Sequence, residues 1–507
     1  MHKCFILEIS KASIKVVVED NLDSLNSKVA FGALWTISSR FIVKGLGFVS
    51  TIILARILFP EDFGIIAMAM LVVSFVEIFS SFSFDINIIQ KDNVTDEVLN
   101  SAWTCKIISA LVVTITLLVA TTFVPNFFNE ERLFYPLLVL SFFPLIRSFQ
   151  NIGFVLYRKE VDLKYEFYLE VYAKVISFVL TISMAFYLKS YWALIIGIYV
   201  NELVRLLLSY KLHSYRPSYD LSEAKNLFAF SKWLVANNLL IFANSNSVKI
   251  AVGATLPTSD LGKYELANEI ANLPTTEILF PISRSLFPAY SKLKHNKEEL
   301  KALYLKTTTI IMLVISPICL GLFSTAQQVV PVLLGDKWVE MVPLLALLSL
   351  YSLLRGAVQN SGSIFVALGK PSIPTKTSLF RFIITLPLIF FLIPQYGLLG
   401  AAYTLIIIQG VMSIIVFFLL SKLINLRFTD LLFSVVLPVV YACMMSFGLN
   451  FIEPWLLDEL GSLPIVLIAV KVMTGAVLFL ALIKLHGLVF KTSYMKISQI
   501  IGVFKSV

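Results

Sequence analysis

Ionisable side chains stand inside long apolar runs of this chain, and they recur at helical spacing. Thr36, Arg40, Lys44, Gly47 and Thr51 follow at three- and four-residue steps, which places them on one helix face. Two cations four residues apart repel unless an anion or a carboxylate stands near. Arg40 and Lys44 therefore read as an anion site or as a structural ion pair with Glu77. Further polar faces hold Ser74, Glu77, Ser81 and Asp85, then Arg147 and Asn151, then Asn238, Ser245 and Lys249. Two more hold Glu269, Asn272 and Thr276, and Ser352, Arg355, Gln359 and Ser363.

An ionisable group at the centre of a membrane costs about 2.5–3.5 kcal/mol on the most lenient scale, so it faces a cavity or a partner. Polar faces repeated on several runs predict a hydrated cavity between two halves of the molecule. Amides and hydroxyls pair with sugar hydroxyls, and arginine and lysine pair with phosphate or carboxylate. Apolar walls suit a lipid tail. The substrate-binding candidates are Arg40, Lys44, Arg147, Asn151, Asn238, Lys249, Arg355 and Gln359. Glu77, Asp85 and Glu269 are candidates for ion coupling, and each can equally serve a structural role.

The elements that must position these residues follow from composition. Of 507 residues, 58% are hydrophobic and only 14% are charged. A soluble domain is about a quarter charged, so a soluble enzyme, a disordered chain and a disulfide scaffold are excluded. The apolar excess faces lipid. Runs of about 20 apolar residues, enough to span a membrane, give about 14 helices: 29–58, 63–89, 101–124, 132–157, 167–188, 191–213, 226–254, 262–289, 303–323, 339–368, 375–393, 397–420, 429–450 and 463–484. The fold class is an all-α polytopic membrane protein.

The net charge of +9 lies mostly in short loops, where it orients the chain rather than binding nucleic acid. Alternation of cationic and acidic loops puts both termini in the cytoplasm. Residues 1–27 read as a cytoplasmic tail, without the cleavage site of a signal peptide. The four cysteines and four histidines lack metal-ligand spacing, and no metal, cofactor or Ser-His-Asp triad is expected. No loop exceeds roughly 30 residues, which leaves no room for an external catalytic domain, so the chain is not expected to be an enzyme.

An internal repeat is legible. Trp35 precedes Asp62 by 27 residues, and Trp233 precedes Asp260 by the same 27. Gly64 and Gly262 keep the common offset of 198. Pro136-Leu137-Leu138, Arg147 and Gln150-Asn151-Ile152-Gly153 match Pro343-Leu344-Leu345, Arg355 and Gln359-Asn360-Ser361-Gly362. Six spans is an even number, so the two six-helix repeats enter from the same side and are parallel. Two C-terminal helices follow. The expected divisions are a tail 1–27, an N-terminal six-helix lobe 28–215, a C-terminal six-helix lobe 216–424, two extra helices 425–486 and a cytoplasmic tail 487–507. Asp62 and Asp260 read as helix caps behind their prolines rather than as substrate contacts.

The segment Leu54-Ala55-Arg56-Ile57-Leu58-Phe59-Pro60-Glu61-Asp62-Phe63-Gly64 resembles the opening of bacterial polysaccharide-export flippases, and Lys28-Val29-Ala30-Phe31-Gly32-Ala33-Leu34-Trp35 is similar to their usual start. These are the O-antigen, capsule and teichuronic-acid translocases of the multidrug/oligosaccharidyl-lipid/polysaccharide exporter superfamily. The resemblance implies a two-lobed carrier of undecaprenyl-diphosphate-linked oligosaccharide in the bacterial inner membrane. It implies alternating access driven by a proton or sodium gradient, without a bound cofactor. Membrane lipid, and the polymerase and chain-length regulator of the same pathway, are the partners it implies. A cation-coupled multidrug exporter of the same architecture and a membrane polymerase are the alternatives. The cationic faces argue against the first and the short outer loops against the second.

Overall fold

A computed structural model of the protein describes residues 31–79, 84–460 and 463–490. The tail 1–27, and the C-terminal tail from 491 on, lie outside the described residues. Every regular element among the described residues is a helix. Nine of them are long and apolar enough to cross a membrane by length and composition, from Phe31–Ile57 to Pro464–Leu485. Large apolar side chains point outward along them: Phe390 is 76% exposed, Phe447 75% and Phe451 78%. Burying apolar area is worth about 25 cal/mol per Å², so such a surface is stable in lipid and unstable in water. The protein is a multi-pass all-α membrane protein.

Two predicted divisions fall on backbone turns. The helix Lys164–Leu188 ends at Lys189, which is left-handed with φ 47°, and Trp192–Leu212 follows. The 53-residue helical stretch Ser372–Ile424 is turned at Gly397 (φ 55°, ψ −134°), three residues after Pro394. A glycine adopts that conformation at no steric cost.

Other predicted spans are segmented. The run 132–157 forms Phe134–Leu140, Phe143–Ser148 and Phe154–Lys159 in place of one helix. Pro144 stands at a helix start, where its missing N–H costs nothing. The last break is made by Asn151. Its Oδ1 accepts from the Gly153 N–H at 2.9 Å, and its Nδ2 donates to the Tyr215 carbonyl at 2.7 Å. Its own N–H donates to Ser209 Oγ at 3.0 Å. The run 262–289 likewise forms Thr258–Leu273, a π-helical turn Pro274–Ile278 and Leu279–Lys292. Proline removes an intrahelical donor at that turn, and π turns concentrate at functional positions.

The chain divides into two compact units. Among the described residues, one comprises the chain up to Leu54, Val72–Val124 and Arg132–Asn238; the other comprises Ala55–Leu71, Pro125–Glu131 and the chain from Leu239. The first has a core of Phe84, Ile88, Leu99, Trp103 and Ile152. Cores of the second lie around Ile315, Met445 and Phe479 and around Tyr290, Tyr304, Phe365 and Leu420.

Within the second unit the two repeated turns meet. A Cβ on Gly64 would overlap the Thr258 carbonyl oxygen, and one on Gly262 would overlap that of Pro60. Thr258 stands 198 residues after Pro60, as Gly262 does after Gly64, so the contact is reciprocal in that offset. Asp62 reaches back to accept the Phe59 N–H at 2.9 Å, the N3 carboxylate of a helix start. Nearby, helix C-terminal carbonyls are capped crosswise. Arg56 donates to Val332 and Leu333 carbonyls, while Lys337 donates to Ile57 and Leu58 and Trp338 to Ala55. Cations at helix C-termini complement the dipole.

Candidate functional site

The candidates fall into two groups, one in each unit. In the first unit, Glu77 near the end of Pro60–Ile78 faces Arg147, with Nη1 3.9 Å from Oε1. Three residues on, Gln150 Nε2 donates to Glu202 Oε2 at 2.8 Å. Glu202 belongs to Trp192–Leu212 and is buried. The sequence reading missed it. Its signal was a carboxylate in an apolar run, masked by Arg205 three residues later, which reads as its partner. Arg205 instead pairs with Glu170 at 2.8 Å.

Arg40 is half-buried and Lys44 exposed on Phe31–Ile57, and both engage other groups. Lys174 of the neighbouring Lys164–Leu188 helix passes Gly47, its ammonium 3.8 Å from where a Cβ would stand, and adds a third cation to that face. The Thr36 hydroxyl is turned back onto the Gly32 carbonyl at 2.9 Å. Asp85 is held by Lys106 at 2.7 Å and by Arg158 at 3.5 Å, and Arg158 also pairs with Glu166. Asp85 thus sits in a salt-bridge network.

In the second unit, two polar faces predicted separately converge. Asn272 Oδ1 accepts from Arg355 Nη1 at 3.1 Å and from Ser352 Oγ at 3.2 Å. Gln359 Nε2 donates to the Thr275 carbonyl at 3.3 Å, a carbonyl of the π turn. The Gln359 Oε1 is buried with no protein partner. Glu269 is exposed one turn before Asn272 and engages other groups. Lys249 pairs with Glu265 at 2.8 Å. Asn238, the last residue of the first unit, is half-buried and also engaged.

Asn151 and Asn360 hold helix breaks together. Asn360 Nδ2 donates to the hydroxyls of Tyr290 and Thr307, in a cluster completed by Tyr304 and Ser361. These amides anchor backbone and core. Asn151→Ala and Asn360→Ala should each lower stability by about 1–3 kcal/mol, the cost of orphaning buried polar groups. Thermal unfolding of the purified variants reads this. An unchanged Tm with export lost would return Asn151 to the cargo site.

The arrangement is that of a polytopic membrane transporter: membrane-length helices with arginine, amide and carboxylate groups set into them. The fold matches that of the lipid II flippase MurJ in its inward closed conformation, with a TM-score of 0.70 over 90% of this chain and 100% of that one, at 14% identity. Residues 53–343 match the polysaccharide biosynthesis protein family, and the chain belongs to it. Among its relatives is the lipopolysaccharide biosynthesis protein WzxC of Escherichia coli (strain K12), 26% identical, with 79% of this chain and 82% of that one covered. Another is the teichuronic acid biosynthesis protein TuaB of Bacillus subtilis (strain 168), 23% identical, with 85% and 90% covered.

Proposed function

We propose that the protein translocates undecaprenyl-diphosphate-linked oligosaccharide units across the bacterial inner membrane for surface polysaccharide assembly. The family and the relatives' roles in lipopolysaccharide and teichuronic acid synthesis support this reading. One geometric observation carries it. Arg147 and Arg355 stand in matching places, each just before a helix break inside an apolar run. Arg355 is held by a neutral amide, and Arg147 by a carboxylate at 3.9 Å. Guanidinium donors therefore remain for an anionic headgroup, and the neighbouring Gln359 holds a buried acceptor that no protein donor meets.

In this reading the chain holds two parallel six-helix repeats and two further helices, with both termini in the cytoplasm. Arg40, Lys44 and Arg147 serve the cargo in the first unit, where Asn238 contributes an amide, and Arg355 does so in the second. Lys249 and Asn151 act mainly in the scaffold. Transport proceeds by alternating access, driven by a proton or sodium gradient. Among the carboxylates in the spans, Glu77 and Glu269 suit that coupling better than the doubly paired Asp85.

Loss of one charge-assisted contact costs about 1.5–3 kcal/mol, or roughly 10- to 150-fold in affinity. Arg147→Ala and Arg355→Ala should therefore cut surface polysaccharide at least about tenfold in a complemented deletion strain. Protein levels, read on membranes by immunoblot, should stay equal. Full surface polymer in both variants would overturn the assignment. Drug susceptibility that follows expression, with normal polymer, would replace it with multidrug export.

A further inference from the structure

The buried carboxylate Glu202 belongs to no part of the account so far. It stands at the centre of Trp192–Leu212, ten residues from either end, or about 15 Å from each. It is 9% exposed. Among the described residues, its hydrogen-bond partner is the neutral amide of Gln150, at 2.8 Å, and no cation lies within ion-pair distance. Arg205, one turn on, is held by Glu170 of Lys164–Leu188. Tyr199, one turn earlier, gives its hydroxyl to the Val139 carbonyl. A carboxylate at this depth is neutralised by a partner or costs several kcal/mol. The scaffold has satisfied it with an amide alone.

The charged groups that face it come from each packed element. Glu77 of Pro60–Ile78 acts on it through space, and Arg147 of Phe143–Ser148 acts on Glu77 in turn. Glu170 and Arg205 neutralise each other beside it. Arg147 is 57% exposed at its side chain and held loosely, so it can turn from the carboxylates to an anion.

We propose that Glu202, with Glu77 beside it, is the binding site for the monovalent cation, proton or sodium, whose gradient drives transport. The site rests on the transport reading above. Arg147 joins the cation site to the headgroup site.

Two measurements on the full-length protein in proteoliposomes test this. The first needs no cargo. Dicyclohexylcarbodiimide, an apolar reagent, adds to protonated carboxyl groups in apolar surroundings, and peptide mass spectrometry locates the adduct. Label on Glu202 that falls as pH rises, untouched by sodium chloride, assigns the proton. Label on Glu202 that sodium chloride suppresses and potassium chloride spares assigns sodium. No label on Glu202 at any pH overturns the proposal.

The second uses undecaprenyl-diphosphate-linked repeat unit extracted from a deletion strain. Glu202→Gln should lower gradient-driven accumulation about tenfold or more, within the usual range of a coupling free energy, and lower exchange without a gradient much less. Equal loss of both marks a scaffold role and overturns the proposal, as does gradient-driven accumulation at the wild-type level. Wild-type protein that moves no repeat unit at all counts against the transport reading, while the label on Glu202 still decides the cation site.

Discussion

Gly64→Leu and Gly262→Leu should each leave little folded protein, and each should fail to the same degree. A Cβ at either position overlaps a backbone carbonyl, of Thr258 or of Pro60, which has no rotamer with which to move aside. The two turns must separate, along with Trp338, which is fully buried and stacks edge-on with Phe63 at 5.3 Å. Overpacking costs about 1–3 kcal/mol where side chains can adjust, so a backbone clash should reach the upper end or exceed it. Even alanine should lower the Tm at both sites. Gly45 and Gly410 serve as controls, since a Cβ there meets open space. Alanine at either control should hold or raise the Tm, because glycine inside a helix is about 0.8–1.0 kcal/mol worse than alanine. Thermal unfolding and size-exclusion profiles of the six variants in detergent read the contrast. A tolerant Gly64 beside an intolerant Gly262 would contradict the reciprocal contact.

The second large effect concerns Lys471 and Glu453. Lys471 is 1% exposed on Pro464–Phe490, and its ammonium lies 3.1 Å from Glu453 Oε1 on Leu437–Leu460. Gln328 of Lys297–Leu333 donates to the same oxygen, so three helices share one charge pair. Removing one partner of a buried pair costs about 3–5 kcal/mol, because the other charge is left uncompensated. Glu453→Ala should be the worse of the two, since Lys471 is sealed while Glu453 keeps some exposure and its amide partner. Lys471→Met combined with Glu453→Gln should recover most of the loss. A double variant as unstable as the worse single one would show that the pair acts through something other than its charge.

The sequence made the elements legible because apolar runs of membrane length have few other uses. The turns at Lys189 and Gly397 were legible for the same reason: polar or proline-glycine residues interrupt runs that are otherwise continuous. The break near Asn151 was not, since it depends on partners such as Ser209 and Tyr215, about 60 residues away, and the turn at Pro274 was passed over although a proline there removes an intrahelical donor. The backbone contacts of Asn151 were hidden on the same ground. A lone amide in a span reads as cavity lining until its backbone partners are seen. Arg355, Gln359 and Asn272 were found by type and spacing, but their convergence on the π turn was not foreseeable from either helix alone. Lys249 has a partner, Glu265, that periodicity did not suggest. Glu202, which the sequence reading did not single out, binds Gln150, while Arg205 pairs with Glu170.

The central claim is that this protein moves a diphosphate-linked repeat unit from the cytoplasmic to the outer face. The direct measurement is lipid extraction from a deletion strain that keeps its sugar transferases, with the face of each lipid-linked unit read by an impermeant reagent. Single repeat units accumulating on the cytoplasmic face, with surface polymer lost and both reversed by the intact gene, is the predicted result. Unpolymerised units accumulating on the outer face would contradict it and point to polymerisation instead.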